Sequence, residues 1–482
     1  MQVAFSQLTM NYSTRTDSPY FRSFIPVAAV SLAAAFGACD SNSSVPSQCD
    51  PELNTGCPAE QACEKVMGGV PSCFAPVKVR GQVFDLTVGT SKPVSSARIV
   101  AVDDAGAAIS SVAVSGTDGM YDLRIPAARA ASGAIQSYKF TLRADASGYQ
   151  SFPGGLRPAI PTDVMTAMQS GGSLVITNPS TNIGLIGLPS AQRSTINGKV
   201  VAPIHSGVLI VGGGSSAISD LDGSFVLFNV TPGSVTVKGF AAGQQLTPAT
   251  VTVAPSAQAD VVISASSTPL SRVSGSLSLV NAGGIASTSV VLIVKDTFSL
   301  TLERGETPRG LRKTGISNQF TFDGVPDGEY TVIPSLDNDG AVRDPDTSIS
   351  GTTIVNITVP NGTVRDITIP TGFKVTAALA VRGPGMDQPE GITSATPVFK
   401  WADDSSEDGY ELRVFDSFGT RIWENLAIAK VTGSVDVSAT YAGPALQPGM
   451  YYLFQALSYR IKTGRAAISR TEDLRGIFYL AK

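Results

Sequence analysis

Thr117-Asp118-Gly119-Met120-Tyr121-Asp122-Leu123 reads as a tight turn running into a strand. Asp-Gly introduces a run in which apolar and polar side chains alternate, and glycine accepts the positive φ that a tight hairpin turn demands. Upstream lie the strand-like Ala97-Arg98-Ile99-Val100-Ala101-Val102, Pro93-Val94, and an opening run, Val79-Arg80-Gly81-Gln82-Val83-Phe84-Asp85. Downstream come Phe140-Thr141-Leu142-Arg143-Ala144 and Gly148-Tyr149. No helical period of 3.6 is present, so these runs read as strands joined by turns.

The chain restates this pattern twice. A second copy opens Ile196-Asn197-Gly198-Lys199-Val200, turns at Asp222-Gly223-Ser224-Phe225, and passes Pro232-Gly233 into Val235-Thr236-Val237. A third opens Val273-Ser274-Gly275-Ser276-Leu277 and closes through Phe320-Thr321-Phe322-Asp323-Gly324-Val325-Pro326-Asp327-Gly328. The copies begin 117 and 77 residues apart, so loop lengths differ while the order of elements holds. Charged residues make up 15% of the 482, with 48 Gly and 30 Pro, which suits many short strands and tight turns. The fold class expected is all-β, a tandem of small antiparallel β-sandwiches behind a disulfide-stapled N-terminal segment.

The shared pattern is Gly-x-Val near the start, Asp-Gly-x-aromatic, then Pro-x-Gly-x-x-x-Val. It resembles the carboxypeptidase regulatory-like (transthyretin-like) family over about 79–165, 196–265 and 273–370. The resemblance implies a seven-stranded antiparallel sandwich serving as scaffold, spacer or binding module, without the catalytic residues of the peptidase it accompanies elsewhere. The C-terminal section differs. Pro397-Val398-Phe399-Lys400-Trp401, Gly409-Tyr410-Glu411-Leu412 and Leu446-Gln447-Pro448-Gly449-Met450-Tyr451-Tyr452 resemble a fibronectin type III or related Ig-like domain. That likeness implies Trp401 in a core. The domain order expected is a signal peptide (1–38), a tether and disulfide-rich segment (39–76), three regulatory-like domains (77–190 with a linker or insertion, 195–265, 272–370) and the fibronectin- or Ig-like domain (373–482). Residues 166–195 and 264–272, rich in Ser, Thr, Gly and Asn, are candidate linkers.

The N-terminal reading rests on Phe24–Cys39, FIPVAAVSLAAAFGAC, preceded by Arg22. The run is too short to cross a bilayer and has the proportions of a signal-peptide core. Gly37-Ala38-Cys39 resembles the end of a bacterial lipobox, with Phe36 where that motif usually carries Leu. The resemblance implies that Cys39 is lipidated, becomes the mature N-terminus and holds the protein in the envelope of a Gram-negative-type bacterium. Four further cysteines, Cys49, Cys57, Cys63 and Cys73, crowd into 25 residues that are too few to bury a core. An oxidising compartment makes them disulfide candidates with three connectivities open. A zinc site is the rival, but the gaps of seven, five and nine residues lack the close pairs of a zinc knuckle.

Chemistry is sparse. A net charge of −4 without a basic block argues against nucleic acid as a partner. His205 is the single histidine, so no metal centre can draw two from this chain. No Gly-x-Ser-x-Gly elbow occurs, and Asp403-Asp404 reads as a solvated turn. Asp337, Asp339, Asp344 and Asp346 cluster within ten residues and read either as a solvated acidic loop or as hard oxygens for calcium, without the bidentate Glu of an EF-hand; no other cofactor is expected. The function expected is non-enzymatic: an envelope lipoprotein, membrane-bound through Cys39, displaying sandwich modules to a protein or polysaccharide partner. The alternative is a carbohydrate-binding protein or an accessory subunit of an envelope hydrolase.

Overall fold

The computed structural model describes residues 49–481 except 52–54, 104–107, 155–158, 172, 190–191, 281–287, 300–304, 336–353, 361, 377, 388, 434, 462–463 and 472–474. Among the described residues the only helical pieces are short 3₁₀ turns, none long or apolar enough to cross a membrane. The rest is strand and turn.

Three modules share one topology. In the first, Val77–Asp85 pairs antiparallel with Met120–Ile125 and parallel with Ser173–Ile176 and Ile183–Leu185. The facing sheet runs Ala113–Val114, Arg98–Val102, Lys139–Asp145, Thr162–Asp163. The second module places Ser194–Val201 between antiparallel Ser224–Val230 and parallel Gln258–Ser264. Its facing sheet runs Ser215–Ile218, Leu209–Gly212, Gly233–Phe240, Ala249–Val253. In the third, Ser271–Val280 lies between antiparallel Gln319–Val325 and parallel Asp366–Thr368 and Phe373–Thr376. Arg312–Ile316, Thr288–Val294, Gly328–Ser335 and Val355–Val359 face it. Residues 166–195 therefore carry strands of the first module's own sheet, and the third module runs past residue 370 into Phe373–Thr376.

The repeated Gly-x-Val and the later aromatic turn out to be one packing device. Gly81 lies opposite Tyr121 in the antiparallel register, Gly198 opposite Phe225, and Gly275 opposite Phe320. A Cβ added at these glycines would sit 3.0, 2.2 and 2.5 Å from the facing ring. At Gly198 and Gly275 the ring is the nearest neighbour and covers bare strand backbone, while at Gly81 the Thr181 carbonyl oxygen comes closer still, at 2.1 Å. The Gly198→Val variant is expected to destabilise the second module by about 1–3 kcal/mol through overpacking, read as a lowered denaturant midpoint. An unchanged midpoint would remove this explanation of the motif.

The turns follow suit in two modules. Gly119 (φ +74°) and Gly223 (φ +84°) make the hairpin bends ahead of Tyr121 and Phe225. In the third copy Asn318 stands at the equivalent place. Asp323-Gly324 falls at the far end of that strand, where Gly324 (φ +71°) abuts the Gly243 backbone of the second module.

The terminal domain packs Val381–Gly383, Val398–Trp401 and Val437–Thr440 against a larger sheet. That sheet runs Glu390–Ile392, Ile477–Leu480, Tyr451–Ile461, Gly409–Asp416, Arg421–Ala429, with Arg465–Arg470 paired to the far end of Tyr451–Ile461. Trp401 is fully buried, edge-on to Tyr410 at 5.8 Å, and Trp423 packs against Tyr441 at 5.2 Å. Both tryptophans are thus packing residues. Tyr452 Oη accepts from Gln447 N–H at 2.7 Å, tying the chain down where it enters the strand.

Candidate functional site

Two clusters of polar side chains organise the molecule, and neither is a catalytic arrangement. The first joins the cysteine segment to the first module. Ala62–Glu64 and Ser72–Phe74 form a two-stranded ribbon in which Cys63 stands opposite Cys73. Cys49 bonds Cys63 (S–S 1.99 Å) and Cys57 bonds Cys73 (2.03 Å), so one of the three connectivities is realised. Each closes a short loop and contributes about 3 kcal/mol against the unfolded chain. The Sγ atoms of Cys49, Cys57 and Cys73 lie within 4.8 Å of one another, so the bridges abut.

Between these cysteines the ribbon carries Glu64, whose side chain is fully buried. Its Oε2 accepts from Arg129 Nε at 2.5 Å and its Oε1 from Ala127 N–H at 2.9 Å. Arg129 also donates to Ala75 O (3.1 Å) and Gly133 O (3.2 Å), and its guanidinium lies 4.6 Å from the centre of the Phe74 ring. Burial raises the Glu64 pKa above its ordinary value, and the Arg129 and Ala127 bonds offset this only in part. The ribbon is therefore docked, not tethered loosely.

The second cluster joins three modules. Arg143, on Lys139–Asp145, has only 4% of its side chain exposed. Its Nε donates to Asp145 Oδ2 at 3.0 Å, and its Nη1 to both oxygens of Glu306, from the third module, at 3.0 Å. Its Nη2 reaches Ser216 O (3.2 Å) and Oγ (3.1 Å) in the second module, and Ser216 Oγ in turn bonds Glu306 Oε1 at 3.0 Å. Burial by itself would lower the Arg143 pKa, but the two carboxylates outweigh it and hold the group above its ordinary value. One forked cation serves three chain segments.

The seams around this junction are continuous. Asn229 (φ +61°) donates to Ala146 O (3.1 Å) and Tyr149 O (2.8 Å) and accepts from Gly148 N–H (2.7 Å), locking the second module to the first. Leu209, Val211 and Phe240 of the second module share a core with the third, with Phe240 edge-on to Tyr330 at 6.0 Å. A groove of about 270 Å³ opens beside this seam, lined by Lys238, Phe240, Asp296 and Glu329 among others. Phe84 of the first module meets Phe418 of the terminal domain edge-on at 5.1 Å. Through these side chains the first module touches each of the other three domains, and the second touches the third.

The remaining expected residues divide by position. Cys39, Asp337, Asp339, Asp344 and Asp346 lie outside the described residues. His205 sits in a turn with Nδ1 3.1 Å from Ala202 O. Asp403 and Asp404 are not a solvated pair. Asp403 Oδ1 accepts from Tyr410 Oη (2.6 Å), and Asp404 Oδ2 accepts from Ser458 Oγ (2.7 Å), pinning their turn to the larger sheet. Asp85 is held by Lys92 Nζ at 2.8 Å and by Thr87, which bring its carboxyl down to about 2. Sequence reasoning missed Glu64, Arg129, Arg143 and Glu306. Arg143-x-Asp145 was the available signal, two opposite charges on one face of a strand, but nothing local points to Glu306.

No protein-family model matches the chain, and no curated protein sequence matches it. Solved structures with a likeness include two B repeat units of the collagen-binding protein of Staphylococcus aureus, at 13% identity and a TM-score of 0.17, covering 83% of this chain and 98% of that one. The major pilin subunit of Bacillus cereus is similar at 8% identity and TM-score 0.17, covering 62% and 98% respectively. A tetra-tandem repeat from the extending region of a large adhesion protein matches at 14% identity and TM-score 0.14, covering 82% and 98%.

Proposed function

We propose that this protein is a non-enzymatic envelope lipoprotein, a scaffold that holds its sandwich modules as one body close to the membrane. The Arg143 junction carries this reading, because it makes three modules share a single buried cation where loose beads would keep separate surfaces. The docked ribbon supports it from the other side. Cys49 follows Cys39 by ten steps along the chain, at most about 35 Å when extended, so a lipid on Cys39 would keep the first module near the bilayer. The parallel pairing of first and last strands in each module, with the glycine–aromatic register, supports reading 77–370 as regulatory-like domains. Trp401 and the Tyr452 tie support a fibronectin-type terminal domain. The partner is a protein or polysaccharide. Arg421–Ala429, which among the described strands pairs only with Gly409–Asp416, offers an edge for strand addition.

Intact-mass analysis of the mature chain recovered from membranes tests the anchor. The expected result is a diacyl or triacyl mass on Cys39 that the Cys39→Ser variant lacks. A wild-type chain with no acyl group overturns the lipoprotein reading.

A further inference from the structure

We propose that the cysteine ribbon, once both of its bridges are reduced, forms a four-thiolate site for a thiophilic divalent cation such as zinc(II). The spacing along the chain argues against a zinc knuckle, but the fold supplies in space what the spacing lacks. The Sγ atoms of Cys49, Cys57 and Cys73 already lie within 4.8 Å of one another, and Cys63 is bonded to Cys49. A tetrahedral zinc with Zn–S bonds near 2.3 Å holds its thiolates about 3.8 Å apart, so the bonded pairs must open from 1.99 and 2.03 Å, and Cys63, outside the group of three, must move in as the fourth ligand.

The ligands also have supports that do not depend on sulfur. Cys63 and Cys73 occupy opposed positions on the ribbon, flanked by Glu64 and Phe74. Arg129 grips both of those, through the buried ion pair and the contact with the ring. Cys49 and Cys57 flank a loop closed by paired backbone bonds, Asp50 N–H to Thr55 O at 3.0 Å and Thr55 N–H to Asp50 O at 3.2 Å. Two ligands thus come from a docked ribbon and two from a closed loop. Reduction by a dithiol or phosphine delivers two electrons and two protons to each bridge, converting two disulfides to four thiols. Binding then releases up to four protons as the cation takes four thiolates.

The test uses the full chain carrying Cys39→Ser, so that the four ribbon cysteines are its only thiols. The chain is reduced under anaerobic conditions, titrated with zinc(II) and freed of excess metal. The expected outcome is one zinc per chain in the reduced form and none in the oxidised form. Cobalt(II) in its place should show the thiolate charge-transfer absorption of a tetrahedral site. Cleavage of residues 49–76 by protease should rise on reduction and fall again at least tenfold when zinc is added. A reduced chain that keeps less than 0.1 zinc overturns the proposal. So does zinc retention unchanged by Cys57→Ser with Cys73→Ser, or zinc binding that leaves the segment unprotected, which marks capture by an unfolded peptide.

Discussion

Arg143→Met is expected to split the unfolding of the first three modules into separate transitions and to lower the stability of the assembled form by about 3 kcal/mol. The side chain has only 4% exposure and serves Asp145, Glu306 and Ser216 together. Methionine fills much of the volume but leaves two carboxylates facing one another without their cation. Losing one partner of a buried pair costs about 3–5 kcal/mol, and the 29% exposure of Glu306 places this case at the low end. Arg143→Lys keeps the charge but cannot fork toward three acceptors, so it should fall between the two. Differential scanning calorimetry with limited proteolysis reads the outcome, with new cleavage expected in 265–270. A single transition at an unshifted temperature would falsify the view that this cation couples the modules.

The second large effect belongs to the ribbon. Arg129→Met strands the fully buried Glu64 carboxylate, at a cost of about 3–5 kcal/mol. With each 1.4 kcal/mol worth a factor of ten, the open, undocked population should rise at least a hundredfold. Cleavage of the 49–76 segment reports that population while both disulfides stay intact. The paired replacement Glu64→Leu with Arg129→Met should recover most of the loss, because an apolar pair of similar volume often matches a buried ion pair. If the double variant is as labile as Arg129→Met alone, the ring contact with Phe74 and the bonds to Ala75 and Gly133 hold the ribbon, and the ion pair does not.

What the sequence disclosed was local. Asp118-Gly119 and Asp222-Gly223 are turns because glycine alone takes their φ cheaply, and that chemistry lies within two residues. Trp401 was legible through the likeness to a fibronectin- or Ig-like domain, which implies an early Trp in the core. The glycines at 81, 198 and 275 were visible as a repeat, yet their purpose was not, since it depends on which ring lies opposite in the register. Asp323-Gly324 has the composition of a hairpin turn and serves instead at a seam between modules. Arg143 and Glu306 stand 163 residues apart, and no pattern in either neighbourhood announces the other. The cysteine pairing was likewise undetermined, for Cys63 and Cys73 stand side by side in the ribbon yet bond Cys49 and Cys57 respectively. Nothing in the order of modules along the chain points to the meeting of Phe84 in the first module with Phe418 in the terminal domain.

The parallel first and last strands of each module bear on how such a chain responds to tension. In the second module Thr195 through Val201 run alongside Gln258 through Ser264 in one direction. A pull applied at the two ends of that module drags these strands past each other, loading their hydrogen bonds simultaneously instead of peeling them one by one. Shear of this kind resists force far better than unzipping does. The strand order that lets the chain enter one end of a sandwich and leave by the other therefore sets each module to resist tension applied at its own two ends.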